Sequence, residues 1–379
     1  VVTCPTCGQE VPEGTYCIRC GALLAGEGGP GRDRKQFGAA PHEGVMRPAV
    51  ISSIFPHLPR ASMHTFRLAL GLGVAVVVVL AVAGLYTLAL VGAAVLVPLL
   101  TVLYLWDVDI YEDEPISVIA LTMVWGAVAG VVVGLIGNAL EPSGTALFTR
   151  STSSTALARG VLLPLLATAL MVAGPLVLLR YRTFNDVLDG ATFGGAAAVT
   201  FAGAQVITQS FSFLSNAGLH PVGTLSFWVI RLLELAVAVP VLAAGVIGAA
   251  VGAFWLRYRA PVRDRSALGA LGRPPVALGA AAALLVVGAL AQVYLAPLAA
   301  LIALLILDVA ALVWLRKVIH LGLLEESLEL EVGPDIVCAN CGRPTPQHTF
   351  CIHCGISLKA LPKGRPASGT ARPQPEGRA

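Results

Sequence analysis

From Leu68 to about Ile319 the chain is one apolar stretch after another. A run of about 20 such residues crosses a bilayer as a helix, and in hydrocarbon every backbone N–H and C=O must be satisfied by the chain itself. Eight runs are read, at roughly 68–86, 87–106, 116–140, 156–179, 188–208, 226–256, 276–296 and 297–318. The expected fold is an all-α polytopic membrane protein of about eight transmembrane helices. The first two runs meet near Tyr86-Thr87 and the last two near Ala296-Pro297, while Pro240 is expected to mark a tilt or break in the long sixth run. Composition agrees with this reading. Of 379 residues, 56% are hydrophobic and 12% charged, about half the charge of an average soluble domain. A net charge of +3 is too small for a dedicated nucleic-acid binder.

The eight cysteines form two groups outside the apolar region. Cys4, Cys7, Cys17 and Cys20 open the chain, and Cys338, Cys341, Cys351 and Cys354 nearly close it. Each group reads C-x2-C-x9-C-x2-C. Two thiols separated by two residues grip a metal from one knuckle, and two knuckles complete a tetrahedron of thiolates. Gly8, Gly21, Gly342 and Gly355 follow the pairs and let the backbone turn its N–H groups towards sulfur. The groups also align without a gap outside the cysteines. Thr15-Tyr16-Cys17-Ile18-Arg19-Cys20-Gly21 faces Thr349-Phe350-Cys351-Ile352-His353-Cys354-Gly355, and Pro12 faces Pro346. This pattern is read as a duplicated zinc ribbon with Zn2+ as the structural metal. Two disulfides per group, or iron in a four-thiolate site, are the competing assignments. His353 occupies the knuckle position that Arg19 fills in the first copy, which makes it a surface residue rather than a ligand.

These features divide the chain into a zinc ribbon at 1–24, a linker at 25–66, a transmembrane bundle at 67–318, a linker at 319–336, a second ribbon at 337–358 and a disordered tail at 359–379. Loop charge sets the expected orientation. With eight spans, Arg60, Arg67, Arg180, Arg182, Arg257, Arg259, Arg263, Arg265, Arg273, Arg316 and Lys317 fall on one face, against Arg150 and Arg159 on the other. Both termini are therefore expected in the cytoplasm of a cell with an inner membrane, where thiolates also stay reduced. One loop on the basic face is acidic, with Asp107, Asp109, Glu112, Asp113 and Glu114 close together. It is a candidate cation site, a receptor for the basic loop at 257–265, or a solvated turn.

Ionisable and amide groups at bilayer depth are functional candidates. The candidates taken from the apolar runs are Asn138, Gln205, Arg231, Glu234 and Asp308, with Thr168 in the fourth run. Arg231 and Glu234 lie three apart on one helix face and are expected to pair. Gly194-Gly195-Ala196-Ala197-Ala198 and the series Gly245, Gly248, Gly252 are small-residue faces, read as packing seams.

Three segments resemble the PrsW-type intramembrane protease family. One is Tyr111-Glu112-Asp113-Glu114-Pro115 followed by Leu121-Thr122-Met123-Val124-Trp125-Gly126-Ala127. Another is Phe184-Asn185-Asp186-Val187-Leu188-Asp189-Gly190-Ala191-Thr192-Phe193-Gly194, and the third is Phe201-Ala202-Gly203-Ala204-Gln205. The resemblance covers roughly residues 100–260 and implies glutamates and a histidine on neighbouring helices that hold a water-activating metal. Here the family's Glu-Glu pair should fall in the fourth run, where the matching region reads Pro164-Leu165-Leu166-Ala167-Thr168-Ala169-Leu170; its next glutamate is Gln205, and its histidine has no counterpart between Trp228 and Trp255. An amide ligates metal poorly and cannot act as a base. The expected function is thus that of a non-enzymatic relative, presenting two cytoplasmic ribbons to a protein partner, with the bilayer as its other contact and no nucleic acid. The alternatives are an active intramembrane metalloprotease using Glu234, Asp308 and His220, or a small-solute transporter lined by Gln205, Asn138, Glu234 and Asp308.

Overall fold

The computed structural model describes residues 1–5, 8–19, 21–24, 64–107, 116–140, 156–184, 186–217, 224–259, 265–329, 332–338, 341–356 and 358. Eight apolar helices follow one another at the expected positions. They are α1 (His64–Val82), α2 (Tyr86–Asp107), α3 (Ile116–Leu140), α4 (Ala158–Leu178), α5 (Val187–Ala217), α6 (Leu225–Tyr258), α7 (Pro274–Tyr294) and α8 (Pro297–Glu329). Among the described residues, α2 to α8 are seven helices long and apolar enough to cross a membrane, which makes this a multi-pass membrane protein. The apolar part of α1, Phe66–Val82, is shorter. Two boundaries differ from the sequence reading. Helices α1 and α2 separate at Gly84, whose φ of +75° suits a residue without a side chain, ahead of the Tyr86-Thr87 boundary. Helix α8 continues to Glu329 across most of the expected 319–336 linker, because no proline lies between Arg316 and Glu329 and Gly322 packs against Val187 of α5.

Glycines report the direction of each helix. A Cβ on Gly126 or Gly130 of α3 would strike the backbone carbonyl of Ala197 or Phe201, so α3 and α5 run parallel with their backbones in near contact. Gly194 sits against Ile247 and Gly190 against Trp255, so α6 runs back along α5. Gly245 and Gly252 meet Ala311 and Val318, so α8 runs parallel to α6. Helix α1 returns along α2, with Gly73 on Leu96 and Phe66 in one cluster with Leu100 and Tyr104. The eight helices therefore alternate, and His64 and Glu329 lie at the same end of the bundle. The small-residue faces are packing seams, as expected.

Helices α5 and α6 form the centre. Buried residues make up 72% and 83% of their apolar windows, against 22% to 44% in the other five spans. The outer helices turn large apolar side chains outward, among them Leu68, Val79, Val82, Leu121 and Ile306. Such a surface fits lipid rather than water. Helix α6 does not break at Pro240. Proline offers no N–H to Ala236, and the preceding residues Glu234–Ala238 widen into one π-turn that carries the helix past the gap. Pro164 follows a second π-turn, Ala158–Leu162, in the same way.

Each terminal module is a small hairpin with a following knuckle. Strands β1 (Val2–Thr3) and β2 (Glu10–Val11) pair as Val2 with Val11 and Thr3 with Glu10. Strands β3 (Asp335–Val337) and β4 (Pro344–Pro346) repeat that register as Ile336 with Thr345 and Val337 with Pro344. The second module thus begins at Asp335, slightly ahead of the boundary expected at 337.

Candidate functional site

The two modules are built alike, bond for bond. Cys4 N–H donates to Gln9 O and Cys338 N–H to Arg343 O, both at 2.9 Å. Cys17 N–H donates to Ala22 O and Cys351 N–H to Ile356 O. Gly8, Gly21, Gly342 and Gly355 have φ of +69°, +67°, +71° and +69°, the left-handed turn that the spacing called for. In the C-terminal module the thiols of Cys338, Cys341, Cys351 and Cys354 all lie within 4.8 Å of one another. Two Sγ···Sγ separations, Cys338 to Cys354 and Cys341 to Cys351, are 3.8 Å. Four sulfurs about 2.3 Å from a common centre sit about 3.8 Å apart, so this donor set fits a tetrahedral metal ion. The cysteines are free thiols rather than disulfides. Cys351 accepts from Cys338, Cys354 and backbone N–H groups, which holds its thiol well below the usual range, while the same sharing holds Cys338 up. In the N-terminal module Cys4 and Cys17 are free and buried, and Cys7 and Cys20 lie outside the described residues. His353 bonds through Nε2 to the carbonyl of Pro344 at 3.0 Å, away from the thiol cluster, as the comparison with Arg19 suggests.

The modules also bind each other, which the sequence reading did not anticipate. Tyr16 N–H donates to Ile352 O and Phe350 N–H to Ile18 O, each at 2.9 Å. Tyr16 and Phe350 are equivalent in the duplication, as are Ile18 and Ile352, so the contact is a two-fold interface within one chain. Ile18 is fully buried, and Ile352 packs against the cluster of Cys4, Val11, Cys17 and Ala22. Symmetry breaks at one pair. Gly14 lies close against Ile352, whereas its counterpart His348 is buried, with Nδ1 2.8 Å from the Thr349 N–H nitrogen and 3.0 Å from Ile18 O. The signal available in the sequence was the bulky apolar residue inside each second knuckle, which a lone ribbon would leave in water. The pair rests on the bundle, since Leu188 of α5 packs into the cluster of Cys338, Phe350, Cys351, Ile356 and Leu358, joined by Ile319 of α8.

The intramembrane candidates do not converge on one centre. Arg231 and Glu234 form the expected ion pair at 2.9 Å, with Glu234 fully buried. Asn138 donates to Thr208 O and ties α3 to α5, and Thr168 donates to Pro164 O in its own helix. Asp308 is buried in α8. Among the described residues, the side chains able to form a metal cluster are the four cysteines. Asp107 ends α2, and Asp109, Glu112, Asp113, Glu114 and His220 lie outside the described residues.

Gln205 lines a cavity of about 180 Å³ at the end of the bundle remote from the ribbons. Arg159, Gln209, Arg231 and Gln292 share its lining. Arg159, Gln209 and Gln292 were not singled out from the sequence as site residues. What could have pointed to them is an Arg or an amide recurring at one depth in three apolar helices. Arg159 and Arg231 sit at this end, whereas Arg67, Arg180, Arg182, Arg257, Arg259, Arg265 and Arg273 flank the ribbon end. Trp125 and Phe201, from the segments of family resemblance, belong to one helical packing. Trp125 donates from Nε1 to Leu170 O of α4, and Gly130 abuts Phe201 of α5. Compared with family models, with curated proteins and with solved structures, the chain matches none.

Proposed function

We propose that this protein is a non-enzymatic membrane protein whose bundle carries a paired zinc-ribbon platform for a cytoplasmic protein partner. The observation that carries the reading is the reciprocal bonding of Tyr16 and Phe350 across two like modules, seated on Leu188 and Ile319. Two ribbons so joined make one rigid surface from parts with almost no core of their own. Zinc is the metal, favoured by four thiolates at tetrahedral spacing. Both termini are cytoplasmic and all eight helices cross. The meeting of the ribbons supports an even number of crossings, and the basic residues that flank that end support its cytoplasmic side.

The bundle descends from a PrsW-type scaffold that has lost its peptidase residues. Support comes from the lack of any glutamate in the 164–170 region, from Gln205 where that resemblance asks for a glutamate, and from the engagement of Glu234 by Arg231. Capture of partners from membranes solubilised in mild detergent tests the platform. The double variant Cys17→Ser/Cys20→Ser should lose a partner that the wild-type chain retains, while its bundle stays in the membrane fraction. An unchanged set of captured proteins would refute the platform. Metal analysis of the purified chain should return two zinc ions, and a third would reopen the case for an intramembrane centre. The transporter reading has one observation in its favour, the polar-lined cavity.

A further inference from the structure

The two ribbons are not supported equally. Among the described residues, the apolar cluster of the C-terminal ribbon includes Leu188 of α5 and is joined by Ile319 of α8, so the bundle completes its core. The cluster of the N-terminal ribbon is Cys4, Val11, Cys17, Ile18 and Ala22, with Leu24 and Ile352 packed against it. Among these described residues, Ile352 comes from the other ribbon and none comes from the bundle.

The contact between the ribbons runs through the segments that carry the thiols. Ile352 stands between Cys351 and Cys354. Gly14 leaves room for it, since a Cβ there would lie 2.8 Å from the Ile352 Cβ. Ile352 N–H donates to Thr345 Oγ1 at 3.2 Å, which fixes this knuckle from within its own hairpin. Ile352 O accepts from Tyr16 N–H, the residue before Cys17. Ile18 O, between Cys17 and Cys20, accepts from Phe350 N–H, the residue before Cys351. The Tyr16 ring also lies against the Gly355 turn. Each knuckle is thus shaped by a segment that positions a thiol of the other. A ribbon without metal has too little core to hold that shape, so emptying one site removes part of the frame of its neighbour.

Resting on the paired zinc-ribbon reading, we propose that the two metal sites load cooperatively and in order, the C-terminal site first, so that the N-terminal ribbon is the metal-responsive half of the platform. Linkage makes the coupling reciprocal, each metal tightening the other by the same factor. The order comes from Leu188 and Ile319, which pack on the C-terminal ribbon. Scarce metal therefore empties the N-terminal ribbon first and undoes the joint surface while the C-terminal ribbon stays seated.

The full-length chain in detergent, reduced and stripped by chelation, is titrated with cobalt(II), whose thiolate absorption counts filled sites. Cys4→Ser/Cys17→Ser isolates the C-terminal site, and Cys338→Ser/Cys351→Ser isolates the N-terminal one. The wild type should bind two ions, with an overall affinity about tenfold or more above the product of the two isolated affinities. The isolated C-terminal site should be the tighter one, and Leu188→Ala should weaken it without touching the isolated N-terminal site. Ile352→Ala should abolish the coupling and leave the isolated C-terminal site unchanged. If Ile352→Ala disturbs that site, Gly14→Val, which crowds Ile352 from the other ribbon, takes its place. Two ions bound with an overall affinity equal to the product overturn the coupling alone. An isolated N-terminal site as tight as the C-terminal one overturns the order, and an unaltered Leu188→Ala overturns its cause. Coupling that survives both Ile352→Ala and Gly14→Val overturns its placement. Fewer than two ions in the wild type overturns the paired-ribbon reading itself.

Discussion

In the bundle, Gly126 and Gly130 bring α3 so near α5 that backbones touch, and Arg231 with Glu234 is a buried ion pair among the described residues. In the ribbon pair, a few apolar residues surround four thiols, and the backbone bonds of Tyr16 and Phe350 hold one half to the other. The two regions solve the same problem under different solvents. Lipid tails are as apolar as leucine, so burying more hydrocarbon gains little, and close fit has to supply the attraction. In water a module of this size has too little core to offset chain entropy, and a metal held by the four thiols would supply the difference. Each region is therefore fragile where the other is not.

The sharpest separation of the two comes from removing metal. Chelation, or Cys338→Ser with Cys351→Ser, should remove a contribution on the order of 10 kcal/mol from the C-terminal ribbon. Limited proteolysis should then cut near residues 335–358 while the melting of the bundle stays put. Smaller, and confined to the bundle, is the loss of Arg231. Arg231→Leu leaves the carboxyl of Glu234 without its partner in a fully buried place, at a cost of about 3–5 kcal/mol. Arg231→Leu/Glu234→Leu should recover most of that in a detergent melting curve. Next is Gly130→Val, whose side chain would run into the Phe201 backbone. A cost of about 1–3 kcal/mol is expected, with metal content unchanged. The smallest effect probes the contact between the ribbons. His348→Ala removes the imidazole Nδ1 that sits between the Thr349 N–H and Ile18 O, a hydrogen bond worth about 1 kcal/mol. Hydrogen exchange should quicken at the Tyr16 and Phe350 amides without loss of metal. If chelation instead lowered the melting of the bundle, the two regions would be one cooperative unit and the comparison would fail.

The helices were legible because hydrocarbon imposes a single demand. A run of apolar residues such as 116–140 has to close its own backbone bonds, and helix α3 spans those residues. The pairing of Arg231 with Glu234 was legible because three residues of helix fix their relative placement. The thiol cluster was legible because C-x2-C-x9-C-x2-C leaves little freedom in a short loop. The cavity was not, since Arg159, Gln205, Arg231 and Gln292 stand on four helices whose mutual rotation no local pattern encodes. The π-turns left a partial trace, a proline placed two residues beyond each.

The sequence by itself determined the local elements: which segments become helices, where thiols gather, and that one module is a copy of the other. Each follows from interactions among residues close along the chain, governed by the surrounding solvent. Tertiary structure decided that the copies face each other through Ile18 and Ile352, and that amides and guanidinium groups from separate helices surround one space. Those outcomes depend on the packing of surfaces far apart in the chain, where a glycine in place of a larger side chain sets how closely two backbones approach.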